Sequence, residues 1–178
     1  MEERALILIH QTANPVFDVL FVFSHYLGTL AFCTALVTLM VVLLMWQRRR
    51  IEALAWIGLG LSTWALQAGI KLAIARPRPA LWAGPIMHTS HAFPSGHALA
   101  AATFFPMLAF TIARRWPALR RPAFGAAFFI AAFVGIGRLY LGVHWPSDVV
   151  AGWSMGAVQT FFAMRLVARY EEPIVATT

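Results

Sequence analysis

Charge is what this sequence has least of. Only 12% of its 178 residues are Asp, Glu, Lys or Arg, against about 25% in an ordinary soluble domain. With 60% of residues hydrophobic and a mean hydropathy of +0.71, too little polar side chain remains to coat a surface in water. That excludes a soluble globular domain. Acidic residues are scarcest: seven Asp and Glu stand against 14 Lys and Arg, a formal net charge of +7. In a soluble chain such a surplus would suggest nucleic-acid binding. In so apolar a chain it is read as membrane topology and attraction to anionic lipid, and no nucleic-acid partner is expected. The single cysteine, Cys33, excludes an intrachain disulfide and says nothing about redox compartment. Internal repeats and low-complexity tracts are also lacking.

What is present is a series of charge-free apolar runs. The first, residues 19–47, is longer than the hydrocarbon core of a bilayer requires, so its helix is expected to tilt or to start late. It is too long for a cleaved signal peptide and lacks a basic start. Runs at 53–70, 98–113, 123–137 and 149–164 follow, and the last three hold only 15 to 16 residues without a charge, so each must borrow flanking residues to cross. Pro106 in the third run is a tolerated kink. Residues 1–18 combine Glu2, Glu3 and Arg4 with an apolar pentad and Asn14-Pro15. They read as an interfacial helix or a sixth, short crossing. The expected fold is all-α: a polytopic membrane bundle of five spanning helices plus this N-terminal helix, forming one integral-membrane domain over 1–178.

The basic residues alternate between the two sides that such crossings create. Arg48, Arg49, Arg50, Arg114, Arg115, Arg120, Arg121, Arg165 and Arg169, nine in all, fall on one side, which the positive-inside rule makes cytoplasmic. Arg4, Lys71, Arg76, Arg78 and Arg138 fall on the other, mostly in tight local patterns.

Three stretches on that second side carry the chemistry. In the first, Lys71 ends a helix, and the Arg76-Pro77-Arg78-Pro79 steps force extended chain after it. Snorkelling and topology anchoring explain this stretch equally well when it is taken alone. The second is His91-Ala92-Phe93-Pro94-Ser95-Gly96-His97, just before a helix. Ser95 suits an N-cap, and Gly96 allows close backbone approach, so the helix N-terminus could seat a phosphate with a histidine beside it. Capping alone is the commoner explanation of such a sequence. The third runs from Gly137 and Arg138 to His144 and Asp148. Pro146, Ser147 and Asp148 read as a helix start, and a carboxylate four residues after His144 can hold one imidazole nitrogen while the other acts as a nucleophile. A capping Asp and an interfacial His are the bland alternative, weakened because ionisable groups at helix ends of so apolar a chain are costly.

Together these stretches place two histidines, one carboxylate and the cations Lys71, Arg78 and Arg138 on one membrane face. Three cations and a helix N-terminus can clamp a phosphoryl group and stabilise its transition state. One histidine can attack phosphorus while the second protonates the leaving group.

At this point the sequence resembles a known family, the type 2 phosphatidic acid phosphatases or lipid phosphate phosphatases, whose fold is shared with the vanadium haloperoxidases. Lys71, six residues, then Arg78-Pro79 matches the first motif; Pro94-Ser95-Gly96-His97 matches the second; Arg138, His144 and Asp148 match the third. Gly137 stands where the family usually has Ser, which removes a hydroxyl and no charge. The motif region covers 71–148. The resemblance implies that His144 is the nucleophile, forming a phosphohistidine, that Asp148 orients it and that His97 is the general acid. It further implies phosphate binding by Lys71, Arg78, Ser95, Gly96 and Arg138, with no cofactor and no metal. His88, His91 and His97 could mimic a ligand cluster, but no nearby carboxylate or thiolate completes it. Arg76 lies outside the matched positions and reads as a loop or headgroup contact. His88 and His91 are expected to border the site's entrance, and His10 and His25 to be interfacial or structural.

A site at helix ends on the outer face is most easily reached by an amphiphile. The expected partners are the bilayer and a lipid phosphate or diphosphate substrate, with undecaprenyl diphosphate and phosphatidylglycerophosphate foremost, at the periplasmic or exterior face of an inner membrane. The apolar loop 80–93, with Trp82, Pro85, Ile86 and Met87, is expected to rest on the membrane beside the entrance. A lipid-to-lipid phosphotransferase and a non-enzymatic transporter or scaffold for anionic lipids remain as alternatives.

Overall fold

A computed structural model describes residues 1–82 and 90–171. Among these every regular element is a helix. Helices α1 (Glu2–His10), α2 (Pro15–Leu27), α3 (Leu30–Trp46), α4 (Arg50–Ile74), α5 (Gly96–Arg115), α6 (Arg120–Tyr140) and α7 (Pro146–Tyr170) are interrupted by a single 3₁₀ turn at Pro117–Leu119. Each of α4 to α7 runs past its charge-free stretch at both ends, so the flanking residues do complete the lengths that the sequence left short.

Among the described residues, α4, α5 and the unit Pro117–Tyr140 are each long and apolar enough to cross a bilayer, and the α2–α3 pair would add a fourth crossing. The 25-residue α7 is more polar but rises about 37 Å, enough to span. The nine-residue α1 rises about 13 Å and cannot cross alone. Large apolar side chains such as Leu39, Trp64, Phe129 and Phe162 point outward, a surface suited to lipid tails.

Two expectations need correction. Residues 19–47 do not form one helix: α2 and α3 meet at 49° across Gly28–Thr29. Thr29 caps α3 by accepting from the Phe32 N–H, and a side chain at Gly28 would strike the His97 ring. An uncharged run gives no sign of such a break. The N-terminal segment likewise does not end at Asp18, because α2 begins at Pro15, where the Asn14 side chain accepts from the Val16 and Phe17 N–H groups.

Helix α5 is the axis of the bundle, packed along α6 and α7, while α3 lies on α4 and α2 on α6. The α5–α7 seam depends on two glycines one turn apart. A Cβ on Gly152 would sit 2.7 Å from Ser95 O, and one on Gly156 would sit 2.7 Å from Leu99 O. The Gly-xxx-Gly spacing lets the two backbones touch, as small residues do in membrane helix pairs. A polar seam adds to it: Gln159 Nε2 donates to Thr63 Oγ1 at 2.8 Å and to Thr103 Oγ1 at 2.6 Å, linking α7 to α4 and α5.

One end of the bundle is bolted by charge. Glu52 is fully buried; it meets Arg49 at 2.8 Å and accepts from Thr111 Oγ1 at 2.5 Å. Arg114 approaches Glu52 at 3.7 Å and donates to Glu171 O at 2.8 Å. Arg49 and Arg114 are therefore interior partners of α4, α5 and α7 as well as members of the basic side.

Candidate active site

The opposite end gathers the C-termini of α4 and α6 and the N-termini of α5 and α7. Helix α4 stops at Ala75, whose left-handed conformation (φ 48°) turns the chain out of the helix and into the Arg76-Pro77-Arg78-Pro79 stretch. Ser95 caps α5 by accepting from the Ala98 N–H at 3.4 Å, leaving the first-turn N–H groups of α5 at the site. The Ser95 N–H donates to Asp148 O at 3.0 Å, joining the starts of α5 and α7. All the residues of the three motifs are thus brought to one place.

His144 and Asp148 are both buried. His144 Nδ1 faces Asp148 Oδ2 at 3.4 Å, long for a hydrogen bond but close enough to tighten when a substrate docks. On its other side, Nε2 lies 3.2 Å from Arg78 Nη1. A guanidinium can only donate, so this contact places the lone pair on Nε2 and the ring proton on Nδ1, toward the carboxylate. Burial, joined by the positive charges of Arg78 and Lys71, pushes the imidazole down to about 4 against the opposing pull of Asp148. His144 is therefore neutral at pH 7, as a nucleophile must be.

Asp148 has more partners than the sequence suggested. Its Oδ2 also accepts from the Trp145 N–H at 2.8 Å, so it caps α7 while facing His144. Its Oδ1 accepts from Arg76 Nη1 at 2.7 Å, and Arg76 in turn donates to Ser147 Oγ and Glu2 Oε2, both at 2.6 Å. Arg76 is thus not a loop or headgroup contact but the charge partner of the buried carboxylate, held from behind by α1.

Two of the three expected clamp cations cluster near the 90–91 loop. Lys71 Nζ donates to His91 O at 2.6 Å; Arg78 donates to Ser90 O at 2.7 Å and Val143 O at 2.6 Å. Arg138 is completely buried, and among the described residues its Nε and Nη2 have no hydrogen-bond partner, leaving N–H groups for an anion. Gly96 is where a side chain would overlap the Gln67 amide. His91 is exposed and contributes through its carbonyl. Pro85, Ile86, Met87 and His88 lie outside the described residues. Among the described residues, no three His, Cys, Asp or Glu side chains converge as a metal site would require.

The contacts of His25, expected to be interfacial or structural, are more specific than the sequence indicated. His25 of α2 stacks on His97, ring centroids 4.7 Å apart, and its Nδ1 lies 2.9 Å from Arg138 Nη1. A histidine in an apolar helix carries no local signal of its partners. Beside His97 a cavity of about 460 Å³ opens between α3, α4 and α5, lined by Gly28, Val37, Ile57, Trp64, Gln67 and Phe104 among others. Its wall is mostly apolar, with His97 and Gln67 among its polar lining residues.

The sequence and the fold are similar to those of known proteins. The chain is 38% identical over 109 residues to phosphatidylglycerophosphatase B of Bacillus subtilis strain 168, covering 59% of this chain and 51% of that protein. It is 35% identical over 78 residues to undecaprenyl-diphosphatase of Sulfolobus acidocaldarius, covering 44% and 34% respectively. The chain therefore matches about half of the first of these relatives and a third of the second. A crystal structure of a transmembrane PAP2 type phosphatidylglycerolphosphate phosphatase from Bacillus subtilis superposes with a TM-score of 0.89 at 26% identity, over 96% of this chain and 86% of that one. The model of the PAP2 superfamily matches residues 52–172, and this all-helical integral membrane protein belongs to that superfamily.

Proposed function

We propose that this protein hydrolyses a lipid phosphate or diphosphate through a phosphohistidine at His144. The observation that carries the reading is the buried His144 held between Asp148 and Arg78, together with a buried Arg138 whose Nε and Nη2 have no partner among the described residues. In the first step His144 Nε2 attacks phosphorus. A P–N bond forms, and the P–O bond to the leaving group (the lipid alcohol of a monophosphate, or the lipid monophosphate of a diphosphate) breaks with its electron pair on oxygen, which takes a proton from His97. Asp148 stabilises the positive ring through Nδ1–H. In the second step His97 removes a proton from water, whose oxygen attacks phosphorus; the P–N bond breaks, its pair returns to Nε2, and inorganic phosphate leaves. Lys71, Arg78, Arg138 and the first-turn N–H groups of α5, beyond Ser95 and Gly96, hold the phosphoryl oxygens throughout. These fixed positive charges do the work that a metal does elsewhere, so none is required.

The cavity between α3, α4 and α5 supports an amphiphilic substrate, because an apolar chain can lie there while its phosphate reaches His97. The names of the two relatives favour phosphatidylglycerophosphate or undecaprenyl diphosphate. The nine-to-five division of basic residues favours a site on the non-cytoplasmic face.

The test is phosphate release by purified protein in detergent, with chelator and without divalent metal. The panel is phosphatidylglycerophosphate, undecaprenyl diphosphate, phosphatidic acid and a lipid A phosphate. Release that is insensitive to chelator and abolished in His144→Ala is expected. Release unchanged in His144→Ala would refute the proposal, and transfer of phosphate to a second lipid in place of release would establish a phosphotransferase.

A further inference from the structure

We infer that His25 is a positioning residue, holding the Arg138 guanidinium and the His97 ring in the geometry that phosphoryl transfer needs, and that Gly137 is the gap that lets it do so. The inference rests on the phosphatase reading and adds a component from α2, outside residues 52–172 matched by the superfamily.

Because Arg138 can only donate, its 2.9 Å contact makes His25 Nδ1 the acceptor and puts the ring proton on Nε2. This contact occupies Nη1 and leaves Nε and Nη2, both buried, for phosphate. A guanidinium is planar, so fixing one nitrogen fixes the direction of the others. The other face of the arrangement is the stack: the His25 and His97 rings lie 24° from parallel at 4.7 Å. One imidazole thus braces a phosphate ligand and the acid. The approach of α2 depends on its neighbour, since a Cβ at Gly137 would overlap Ser24 Oγ and lie 3.2 Å from Phe21 Cδ1. Ser24 is fully buried there and donates to Phe21 O. Gly137 and Arg138 on α6 therefore receive Ser24 and His25 on α2 as adjacent matched pairs. Gly28, closing α2, grants the same close approach to His97.

The test uses the full chain in detergent, with a lipid phosphate and with 4-nitrophenyl phosphate, whose leaving group needs no acid. His25→Asn keeps an acceptor near the Nδ1 position but removes the stack. It should lower kcat about 10- to 100-fold on the lipid while sparing the aryl phosphate. His25→Phe keeps a ring but removes the acceptor. It should weaken phosphate binding about tenfold, read as a higher KM on both substrates and weaker orthovanadate binding by calorimetry. Gly137→Ala should show both defects. Equal kcat losses on both substrates in His25→Asn, or vanadate binding within about twofold of wild type in His25→Phe, would overturn the inference. If the wild type releases no phosphate, the phosphatase reading fails. Vanadate binding then still decides whether His25 holds Arg138.

Discussion

Ser95 and Asp148 are joined through their backbones, the Ser95 N–H donating to Asp148 O at 3.0 Å. The bond fixes the start of α5, which carries His97, against the first turn of α7, which His144 immediately precedes. Because it uses main-chain atoms, side-chain substitutions at the site can test chemistry without separating the two helices.

Asp148→Asn should leave this bond in place and remove the negative charge that faces His144 Nδ1. We expect kcat to fall about 100-fold or more with KM little changed, the pattern of a lost transition-state interaction. Steady-state kinetics on one lipid phosphate decide it. A change confined to KM would mean that Asp148 only caps α7.

The acidity of His144 predicts a pH profile. Burial and nearby cations lower it to about 4, so His144, as the proposed nucleophile, would keep its lone pair well below the ordinary 6.5. After allowance for ionisation of the substrate, kcat/KM should lose its acid limb only toward pH 4. The same shift bears on stability. The unfolded chain binds this proton near 6.5 and the folded chain only near 4, so stability from this residue is complete above about 6.5 and is lost as pH falls through that window. An acid limb at 6.5 or above would contradict the assignment of His144.

Arg76 should matter although it lies outside the three motifs. Removing it leaves the buried Asp148 Oδ1 without its 2.7 Å partner. Arg76→Gln is expected to cost about tenfold in kcat, less than Asp148→Asn, and the double variant should cost less than the product of the two. Glu2→Gln, acting one step further out, should change kcat about twofold. Full additivity between positions 76 and 148 would separate the two functionally.

Gly152→Ala tests the seam between α5 and α7. Its new Cβ would press on Ser95 O and the Leu99 N–H. A destabilisation of about 1–3 kcal/mol is expected, visible as a lower unfolding midpoint in detergent and accompanied by loss of activity. The same change at Gly58, where a Cβ meets nothing within 4 Å, is the control.

The spans and the motif residues were legible in the sequence for different reasons. Spans announce themselves by the absence of charge, and Lys71, Arg78, His97, Arg138, His144 and Asp148 by residue types that an apolar chain would not otherwise carry at helix ends. What escaped were relations between distant residues. Arg76 meets Asp148 and Glu2 across more than 70 positions, and no local pattern encodes such a meeting. The break at Gly28–Thr29 sits in a run whose uniform hydropathy conceals it, and with the break unseen His25 could not be placed beside His97. Arg49 and Arg114 looked like loop charges because Glu52, one position before an apolar run, gives no sign of being buried.

The cavity beside His97 has a consequence for where the reaction's products go. Its apolar wall lies between helices that border the bilayer, whereas Lys71, Arg76 and Arg78 are only partly covered at the end of the bundle. Cleavage there would send inorganic phosphate into water and the dephosphorylated lipid sideways into the membrane. The two products would then leave by different routes, so neither has to pass the other to clear the site. Under the proposed reaction, substrate supply would be set by the mole fraction of that lipid in the leaflet bordering the cavity and not by any concentration in solution.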